Sequence, residues 1–401
     1  MLKPDHQASQ RKINKGLHLT AILILVIVTH LPAVCQTKTD RSINFIFTSD
    51  AHFGINRANF RGDTNVASYK VNAAMIKQMN SLPALILPND GGINAGRKTG
   101  AVDYVIEGGD IANRMEPPVQ SAAVSWSQFE TEYLHQINLT ANSGKPAQLL
   151  IVPGNHDISN AIGYARIMKP ANDPTAMVGI YNLMLKPNKQ LNNTDFNYAI
   201  DKINYSRNIH GIHFMFITLW ADSAERIWMQ KDLDSVGPKT PVIIVTHDQP
   251  ECESKHFTNP LMPFNMTIQN KFENLVVEHY KEGTVASKDD GATVLEQRGF
   301  VKFLKQHPNI KAYFHGNSNW NEFYIYHGPD NDVNLNVFRV DSPMKGKYSA
   351  KDETLLSFQL ITLDPITQSL SVRECLWNTK PNDPEQKVII GKSITVLLKV
   401  N

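Results

Sequence analysis

Five short apolar runs in this chain each stop abruptly at Asp, Asn or His, and this recurrence constrains the fold more than any other feature. The runs are INFIFTSDAH (43–52), DYVIEGGDIANR (103–114), QLLIVPGNHD (148–157), VIIVTHDQP (242–250) and IKAYFHGNSN (310–319). Their β-branched and aromatic residues, bounded by Gly and Pro, predict strands that are buried on both faces. Helix-period stretches lie between them, at 66–80, 121–134, 224–233 and 295–307. The alternation predicts a layered α/β or α+β core.

Length and composition are those of a chain with a large folded core. Its 401 residues are 42% hydrophobic and 19% charged, which suits one large domain and gives no sign of general disorder. The formal net charge is +2, and the first 35 residues alone carry +3, so the rest of the chain is close to −1. The net positive charge therefore gives no argument for nucleic-acid binding, and no nucleic-acid partner is predicted.

The first 35 residues have the layout of a secretory signal peptide. A basic stretch that ends at Lys15 precedes the apolar run LTAILILVIVT, and the small residues of PAVCQ follow. The run is too short for a comfortable membrane span, so no stable span is predicted in the mature chain. We expect an exported protein, periplasmic or secreted. A lipid anchor on Cys35 is one alternative, although Pro32 and Val34 fit a lipobox poorly, and an uncleaved signal anchor is another.

The chain is predicted to divide into three parts. Residues 1–35 are the signal peptide, 40–378 the main domain, and 379–401 C-terminal strands of the same domain. Near the C-terminus, LLSFQLITL, the turn DPITQ and SLSVRECLW predict a hairpin, and KVIIGKSITVLLKV predicts a further strand pair. The mature chain holds Cys252 and Cys375, and their spacing does not show whether they pair.

The polar residues at the ends of the apolar runs are typical metal ligands. They are Asp50-x-His52, Gly109-Asp110, Gly154-Asn155-His156-Asp157 and Thr246-His247, in that order along the chain. Open-sheet proteins usually build their sites at strand ends, where loops converge. Oxygen and imidazole donors from separate loops suit two neighbouring divalent ions that share one carboxylate. Each pair alone is typical of a polar loop, whereas the ordered set predicts a dinuclear metal centre.

With these residues the chain resembles the calcineurin-like metallophosphoesterase family. The family's ordered motifs are Asp-x-His, Gly-Asp, Gly-Asn-His-Asp/Glu, a lone His and Gly-His-x-His, and the similarity covers roughly residues 43 to 345. The resemblance implies an α+β fold with α/β-type layers, namely a four-layer sandwich of two mixed β-sheets flanked by helices. It also implies that Asp50 and His52 bind a first metal ion, that Asp110 bridges, and that Asn155 and His247 bind a second.

Three further residues acquire roles from the same resemblance. His156 would stand beside the leaving group as proton donor or charge stabiliser, with Asp157 orienting it. Arg114 would grip the phosphate, with a surface salt bridge as the ordinary alternative. The implied activity is hydrolysis of small-molecule phosphomonoesters or phosphodiesters through a metal-bridging hydroxide. The resemblance therefore implies a metal-dependent phosphoric ester hydrolase, and the N-terminal pattern predicts that it is exported.

The fifth motif departs from the family, because Gly316-Asn317-Ser318-Asn319 stands where Gly-His-x-His is expected. Asn317 and Asn319 would each replace an imidazole nitrogen by an amide oxygen, one at each metal ion. This exchange lowers affinity for zinc-like ions and favours manganese, magnesium or calcium. The predicted cofactor is therefore two divalent ions from among Mn, Mg, Fe and Zn, with Ca also compatible. His315, just before the motif, is a substitute ligand by type, although its strand phase directs it differently.

Several alternatives stay open at this stage. The two asparagines could form a purely structural turn, and the protein could be a catalytically silent metal- or phosphate-binding scaffold at the cell surface, or a mononuclear hydrolase. Asp341, Ser342 and Lys345 of RVDSPMKG are candidate site-wall residues, with an ordinary turn as the competing interpretation. The substrate depends on long segments such as 53–101 and 159–209, whose patterns identify neither the ester nor the oligomeric state.

Overall fold

Two six-stranded mixed β-sheets form the centre of the protein. The computed structural model describes residues 42–112, 120–158, 173–197, 200–251, 291–383 and 385–400. The strands are β1 (Ile43–Thr48), β2 (Asn56–Phe60), β3 (Asp63–Ala67), β4 (Tyr104–Glu107), β5 (Gln148–Ile151), β6 (Tyr205–Ile209), β7 (Ile212–Phe216), β8 (Val242–Val245), β9 (Ile310–His315), β10 (Glu322–Tyr326), β11 (Leu335–Arg339), β12 (Ser357–Asp364), β13 (Ser369–Leu376) and β14 (Ile389–Leu397). The first sheet has the order β14-β13-β12-β1-β4-β5 and the second β10-β11-β9-β8-β7-β6, while β2 and β3 form a separate hairpin.

The central strands of both sheets run parallel. In the first sheet β1, β4 and β5 are parallel, and β12 joins β1 by an antiparallel pairing. In the second sheet β7, β8, β9 and β11 are parallel, with β6 and β10 as antiparallel edge strands. The carboxyl ends of the parallel strands therefore lie at one edge of each sheet, where the loops that carry polar residues begin.

Helices connect the strands. They are α1 (Ser68–Met79), α2 (Ala122–Phe129), α3 (Asn155–Ile158), α4 (Thr175–Leu185), α5 (Ser223–Leu233) and α6 (Gly291–Gln306), and a π-helical segment, Glu130–Gln136, continues α2. In α1 the buried residues Val71, Met75 and Met79 recur every four positions, which places them on one helix face. Among the residues that the structure describes, no helix has both the length and the apolarity to cross a membrane.

The two sheets pack face to face, with helices outside. Phe45 of β1 stacks on Phe214 of β7 at 5.3 Å between ring centroids, and this contact joins the inner faces of the sheets. Because side chains alternate along a strand, Thr48 of β1 lies on the opposite face, where its hydroxyl contacts Met75 of α1. The outer face of the second sheet is covered by α5 and α6. The predicted four-layer sandwich is therefore confirmed.

The predicted strands and helices are largely confirmed, with one error near the C-terminus. The hairpin of β12 and β13 is present, with Ser357 opposite Leu376. The further strand pair is wrong, because KVIIGKSITVLLKV contains a single strand, β14, which pairs with β13. The register shifts between Arg373 and Cys375, and Glu374 accepts the backbone N–H of Lys392 at 3.1 Å. The glycine of this stretch thus marks a bulge in one strand and not a turn between two.

Several elements were not predicted, and several predictions lie outside the described residues. The missed elements are β2, β3, α4, β6, β10 and β11, which are short or carry polar residues that obscure the hydrophobic period. The predicted signal peptide with Cys35, and also Arg114 and Cys252, lie outside the described residues. Cys375 is a buried free cysteine in β13, and burial raises the pKa of its thiol.

Candidate metal centre

The seven side chains predicted as metal ligands lie in loops that follow five strands of the two sheets. Asp50 and His52 follow β1, Asp110 follows β4, Asn155 opens α3 after β5, His247 follows β8, and Asn317 and Asn319 follow β9. Six of the seven are buried, and Asn319 is half-buried. Both sheets therefore contribute polar side chains to a shielded region.

The backbone at five of these positions adopts the left-handed conformation. The φ angle is 60° at Asp50, 42° at His52, 60° at Asp110, 58° at Asn317 and 63° at Asn319. Asp, Asn and His enter this region several times more often than other non-glycine residues do, and backbone strain clusters at functional sites. The residue types that can bind a metal are thus also the types that these sharp strand-end turns tolerate.

Glycines in the motifs let the loops approach one another closely. A Cβ atom on Gly154 would collide with the backbone nitrogen and the carboxylate of Asp110. A Cβ atom on Gly316 would collide with Ser49 and with the carboxylate of Asp50. Gly154 thus lets the loop after β5 contact the loop after β4. Gly316 likewise lets the loop after β9 of the second sheet contact the loop after β1 of the first. Any side chain at either position would push the ligand residues apart.

Asp110 stands at the junction of two groups of potential ligands. His52, Asp110 and His156 form one group and Asp50, Asp110 and His247 the other, with candidate ligand atoms within 4.8 Å of one another in each. Oδ2 of Asp110 lies 3.7 Å from Nε2 of His52 and 3.3 Å from Nε2 of His247. A carboxylate that belongs to two such groups is placed as a bridging ligand would be between two ions.

The charges of Asp110 and His247 stabilise each other. Burial acts to raise the pKa of Asp110, but His247 and then His156 outweigh it and hold this pKa well below its usual value. Burial acts to lower the pKa of His247, but Asp110 and then Asp50 outweigh it, so this pKa lies well above its usual value. Asp110 is therefore ionised at neutral pH, as a carboxylate ligand must be.

A backbone carbonyl orients the ring of His247. Nδ1 of this ring lies 2.8 Å from the carbonyl oxygen of Gly108, which can only accept, so Nδ1 carries a proton. Nε2 faces Oδ1 of Asn155 at 3.0 Å and Oδ2 of Asp110 at 3.3 Å. The raised pKa of His247 keeps a proton on Nε2, where these two oxygens accept it. Release of that proton, which metal binding requires, would leave three lone-pair donors converging on one point. A carbonyl that orients a histidine in this way is the usual outer-shell partner of a metal ligand.

Buried polar atoms that lack a hydrogen-bond partner among the described residues are a second sign of a cation site. Oδ1 of Asp50 and Nδ1 of His52 are buried and have no hydrogen-bond partner within the described part of the chain. Oδ1 of Asp50 lies 3.6 Å from Nε2 of His52, and Oδ2 of Asp50 accepts the backbone N–H of Asn317 at 3.0 Å. Buried polar atoms normally have partners, and a divalent cation would supply one for this carboxylate oxygen. The residues at the centre therefore fit divalent metal ions.

Neighbouring side chains set the orientation of the two asparagines. Nδ2 of Asn317 donates to Oδ1 of Asp248 at 2.5 Å and to Oε1 of Gln249 at 3.3 Å. Because the amide is planar, its oxygen is directed away from these two acceptors. Nδ2 of Asn319 donates to the carbonyl of Asn317 at 2.6 Å, and its Oδ1 is buried with no hydrogen-bond partner among the described residues. Both nitrogens are engaged, and the oxygens are the atoms that hard cations prefer.

His315 does not join either ligand group. Its Nδ1 lies 2.9 Å from the carbonyl oxygen of Gly316, and its Nε2 lies 3.2 Å from the hydroxyl of Tyr324. That hydroxyl donates to Glu251 at 2.9 Å. The ring is thus part of a buried polar network behind the fifth motif, as its strand phase predicted.

Asp157 holds the loop that carries Asp110. Its carboxylate accepts four backbone N–H groups, those of Asp110 (2.9 Å), Ile111 (3.3 Å), Ala112 (3.0 Å) and Gly154 (2.9 Å). Burial and then Asp110 raise the pKa of Asp157 to about 6, against these hydrogen bonds, which lower it. The orientation of His156 by Asp157, which the resemblance implied, stays a prediction. The structure shows that Asp157 positions the backbone of Asp110.

His156 lies between Asp110 and a lysine. Its backbone N–H donates to Oδ1 of Asp110 at 2.7 Å, and its ring packs edge-to-face against His52 with centroids 4.9 Å apart. Nζ of Lys345 lies 3.5 Å from Nε2 of His156. Burial lowers the pKa of His156 well below its usual value, an effect that Asp110 opposes and Lys345 reinforces. The imidazole is therefore neutral at pH 7.

The three candidate site-wall residues take different positions. The hydroxyl of Ser342 donates to the carbonyl of Asp50 at 2.9 Å, and Lys345 reaches His156. Asp341 is buried, where hydrogen bonds from Ser349 and from the backbone of Ser342 act to lower its pKa and burial outweighs them. Burial raises the pKa of Asp341 to about 8. Ser342 and Lys345 thus contact residues of the site. Asp341, which precedes Ser342 in the sequence, is a buried acid.

Sequence reasoning missed three residues that support the centre. Asp248 and Gln249 directly follow His247 and orient Asn317. Glu107 ends β4, where its Oε2 accepts the backbone N–H of Gly109 at 2.7 Å, and burial raises its pKa well above the usual value. Their position in the sequence could have identified them. Each is a polar residue at the buried end of a strand that already carried a ligand motif.

The fold brings potential metal ligands from loops of both sheets together, with Asp110 shared between two groups of them. A family model described as calcineurin-like phosphoesterase matches residues 43–316. Since that match spans more than half of the chain, the protein belongs to the calcineurin-like phosphoesterase family. The match ends just before Asn317, where the fifth motif departs from the family pattern.

Three solved structures match the chain at low sequence identity. A dimetal phosphatase from Danio rerio is 11% identical, with a TM-score of 0.44 and coverage of 89% of this chain and 99% of the other. A single mutant of Vps29 from Entamoeba histolytica is 8% identical, with a TM-score of 0.32 and coverage of 88% and 99%. The calcineurin-like phosphoesterase YfkN from Bacillus subtilis is 9% identical, with a TM-score of 0.31 and coverage of 88% and 90%. No curated protein sequence matches the chain.

Proposed function

We propose that this protein is an exported phosphoesterase that hydrolyses phosphomonoesters or phosphodiesters at a centre of two divalent ions. The observation that carries the proposal is the shared position of Asp110 in two ligand groups. Its Oδ2 atom lies 3.3 Å from His247, on the second-sheet side, and 3.7 Å from His52, on the first-sheet side. Membership of a phosphoesterase family supports the reaction class.

The chain's own residues divide the work at this centre. By the family resemblance Asp50, His52 and Asn319 would hold one ion and Asn155, His247 and Asn317 the other, with Asp110 common to both. In the structure Asp50 also lies within ligand distance of His247, so its carboxylate is within reach of both ions. Two ions bound there would supply a nucleophilic water at neutral pH and offset the negative charge of a phosphate. His156 lies beside Asp110 and is placed to hydrogen-bond the leaving oxygen. Asp157 would hold the loop of Asp110 next to the loop of His156, because its carboxylate accepts the backbone N–H groups of Asp110 and Gly154.

An assay of the purified protein tests the activity. After chelation, Mn²⁺, Mg²⁺ or Zn²⁺ is added with p-nitrophenyl phosphate or bis(p-nitrophenyl) phosphate as substrate. We expect hydrolysis that the chelator abolishes and a divalent ion restores. Asp110→Ala and His247→Ala should lower kcat/KM at least about 100-fold, the scale of losing a group that stabilises charge in the transition state.

Matched controls separate a lost centre from a lost fold. Asp63→Ala and His135→Ala remove the same residue types from exposed positions and should keep full activity. Circular dichroism should show both site variants folded. Full activity in Asp110→Ala or His247→Ala would exclude the proposed mechanism. Absence of hydrolysis with every ion and both esters would favour a silent metal- or phosphate-binding scaffold.

Export is the second part of the proposal and rests on the N-terminal pattern alone. The basic stretch, the apolar run and the small residues that follow are typical of a cleaved signal peptide. Expression of the full-length chain in a bacterial host, followed by fractionation and mass spectrometry of the mature N-terminus, tests it. We expect a periplasmic or secreted protein that lacks the first 35 residues or fewer. An intact N-terminus in the cytoplasmic fraction would contradict export.

A further inference from the structure

Lys345 places an ammonium group beside the shared carboxylate. Its Nζ atom lies 3.5 Å from Nε2 of His156, and that nitrogen lies 3.9 Å from Oδ2 of Asp110. The lysine is half-buried, in a loop after β11 that belongs to none of the five ligand motifs. One imidazole nitrogen thus separates a positive side chain from the carboxylate that joins the two ligand groups.

A serine hydroxyl fixes the loop that carries this lysine. Oγ of Ser342 donates to the carbonyl of Asp50 at 2.9 Å. It also accepts the backbone N–H of Lys345 at 2.9 Å and that of Met344 at 3.1 Å. One donated and two accepted bonds satisfy the hydroxyl completely. The backbone of Lys345 is therefore tied to the backbone of a predicted metal ligand, and its ammonium is presented at the centre by a rigid turn.

The chemistry of the ammonium suits a phosphoryl oxygen. Lysine is a recurrent phosphate ligand, because its ammonium is a compact positive charge with three donors. Partial burial weakens the screening of this charge by water. A phosphoryl group held over Asp110 would lie next to both Nε2 of His156 and Nζ of Lys345.

We propose that Lys345 is a substrate-binding residue, whose ammonium binds a non-bridging oxygen of the phosphoryl group beside His156. This inference rests on the proposed function, since it assigns a residue of this chain to the phosphate of that reaction. It places a contact to the substrate outside the family motifs, on the loop that follows β11.

Binding of inorganic phosphate tests the proposal without requiring turnover. Isothermal titration calorimetry of the Mn²⁺-loaded protein compares the wild type with Lys345→Met, Lys345→Arg and Lys351→Met. Lys351 is an exposed lysine of the same segment, so its replacement removes the same charge away from the centre. We expect Lys345→Met to weaken phosphate binding at least about ten-fold, Lys345→Arg to recover part of the loss, and Lys351→Met to bind like the wild type.

The outcomes separate this proposal from the proposed function. Metal content, measured in each variant, should not change. Equal phosphate affinity in Lys345→Met and the wild type, equal losses in Lys345→Met and Lys351→Met, or no phosphate binding by the wild type would each overturn the assignment. If phosphate binding depends on Lys345 while no ester is hydrolysed, the assignment stands and the proposed activity fails. If esters are hydrolysed and Lys345→Met keeps both KM and phosphate affinity, the activity stands and the assignment fails.

Discussion

The two sides of the metal centre are held in different ways. On the first-sheet side the loops bind each other through their backbones, with Asp50 N–H to Gly109 carbonyl at 2.8 Å and His52 N–H to Asp110 carbonyl at 2.9 Å. On the second-sheet side a side chain orients the candidate ligand Asn317, because Asp248 accepts a hydrogen bond from the Asn317 side-chain amide at 2.5 Å. Contacts that hold backbone groups, including the four that the Asp157 carboxylate accepts, belong to the fold, whereas a contact between two side chains can change without unfolding the protein. We infer that metal selectivity is adjusted on the second-sheet side.

The largest expected effect is on the first-sheet side, at Asp157. Asp157→Ala would leave four backbone N–H groups of the Asp110 loop without their acceptor. Each unsatisfied buried donor costs about 1–3 kcal/mol, so the free energy of unfolding should fall by about 3 kcal/mol or more. Urea denaturation followed by circular dichroism measures the loss.

Asp157→Asn is a milder variant whose stability can be compared with that of Asp157→Ala. It keeps one acceptor oxygen, so its loss of stability should be smaller than that of Asp157→Ala. Equal stability of the wild type and Asp157→Ala would show that the first-sheet side does not depend on this carboxylate.

A smaller effect is expected on the second-sheet side, at Asp248. Asp248→Ala removes the acceptor that orients Asn317, and loss of such an outer-shell partner typically costs 10–100-fold in metal affinity. Titration with Mn²⁺ by calorimetry should show this loss at one of two sites. Asp248→Asn removes the charge but keeps an acceptor oxygen, so its affinity should lie closer to that of the wild type. Unchanged affinity in Asp248→Ala would refute the orienting role.

Restoring the family's histidines should change metal preference more than stability. The double variant Asn317→His/Asn319→His exchanges two amide oxygens for imidazole nitrogens at left-handed positions that histidine tolerates. Imidazole suits zinc better than amide oxygen does, so the ratio of Zn²⁺ to Mn²⁺ affinity should rise about ten-fold. Competition with a chromophoric chelator measures both affinities. The same ratio in the wild type and the double variant would mean that the two asparagines are not ligands.

A pH-dependent effect is expected from a second buried carboxylate, Asp341, which lies near the centre as Asp157 does. Burial raises the pKa of Asp341 from 3.8 to about 8. Between these values the native protein keeps a proton that the unfolded chain releases. The unfolded state then binds fewer protons, so the free energy of unfolding falls as pH rises from about 4 to about 8.

Asp341→Asn should remove this contribution. The stability gained by the variant over the wild type should grow by about 1 kcal/mol per pH unit across that window. Urea denaturation at pH 5, 6 and 7 gives the two profiles. Parallel profiles would show that Asp341 does not retain its proton in the native state.

The site was easier to predict than the elements around it. Four of the candidate ligands were recognisable because each follows a continuous apolar run, which is typical of a buried strand. They are Asp50, His52, Asp110 and His247. The β2–β3 hairpin and β6 were missed because their strands alternate weakly between buried and exposed positions. The C-terminal stretch was misread because glycine signals both a turn and a bulge, and only the pairing partner distinguishes them.

By itself the sequence determined which residue types stand at the strand ends, because the alternation of buried strands and helices and the order of the motifs are local properties of the chain. Only the tertiary structure decided how those residues are used. It brought Asp110 between His52 and His247, engaged both nitrogens of His315 elsewhere, set the amide of Asn317 against Asp248, and placed Lys345 at the centre. The physical reason is that ligand geometry depends on contacts between loops of two different sheets. Such contacts join residues up to about 290 positions apart, as Ser342 and Asp50 do, and no local pattern records them.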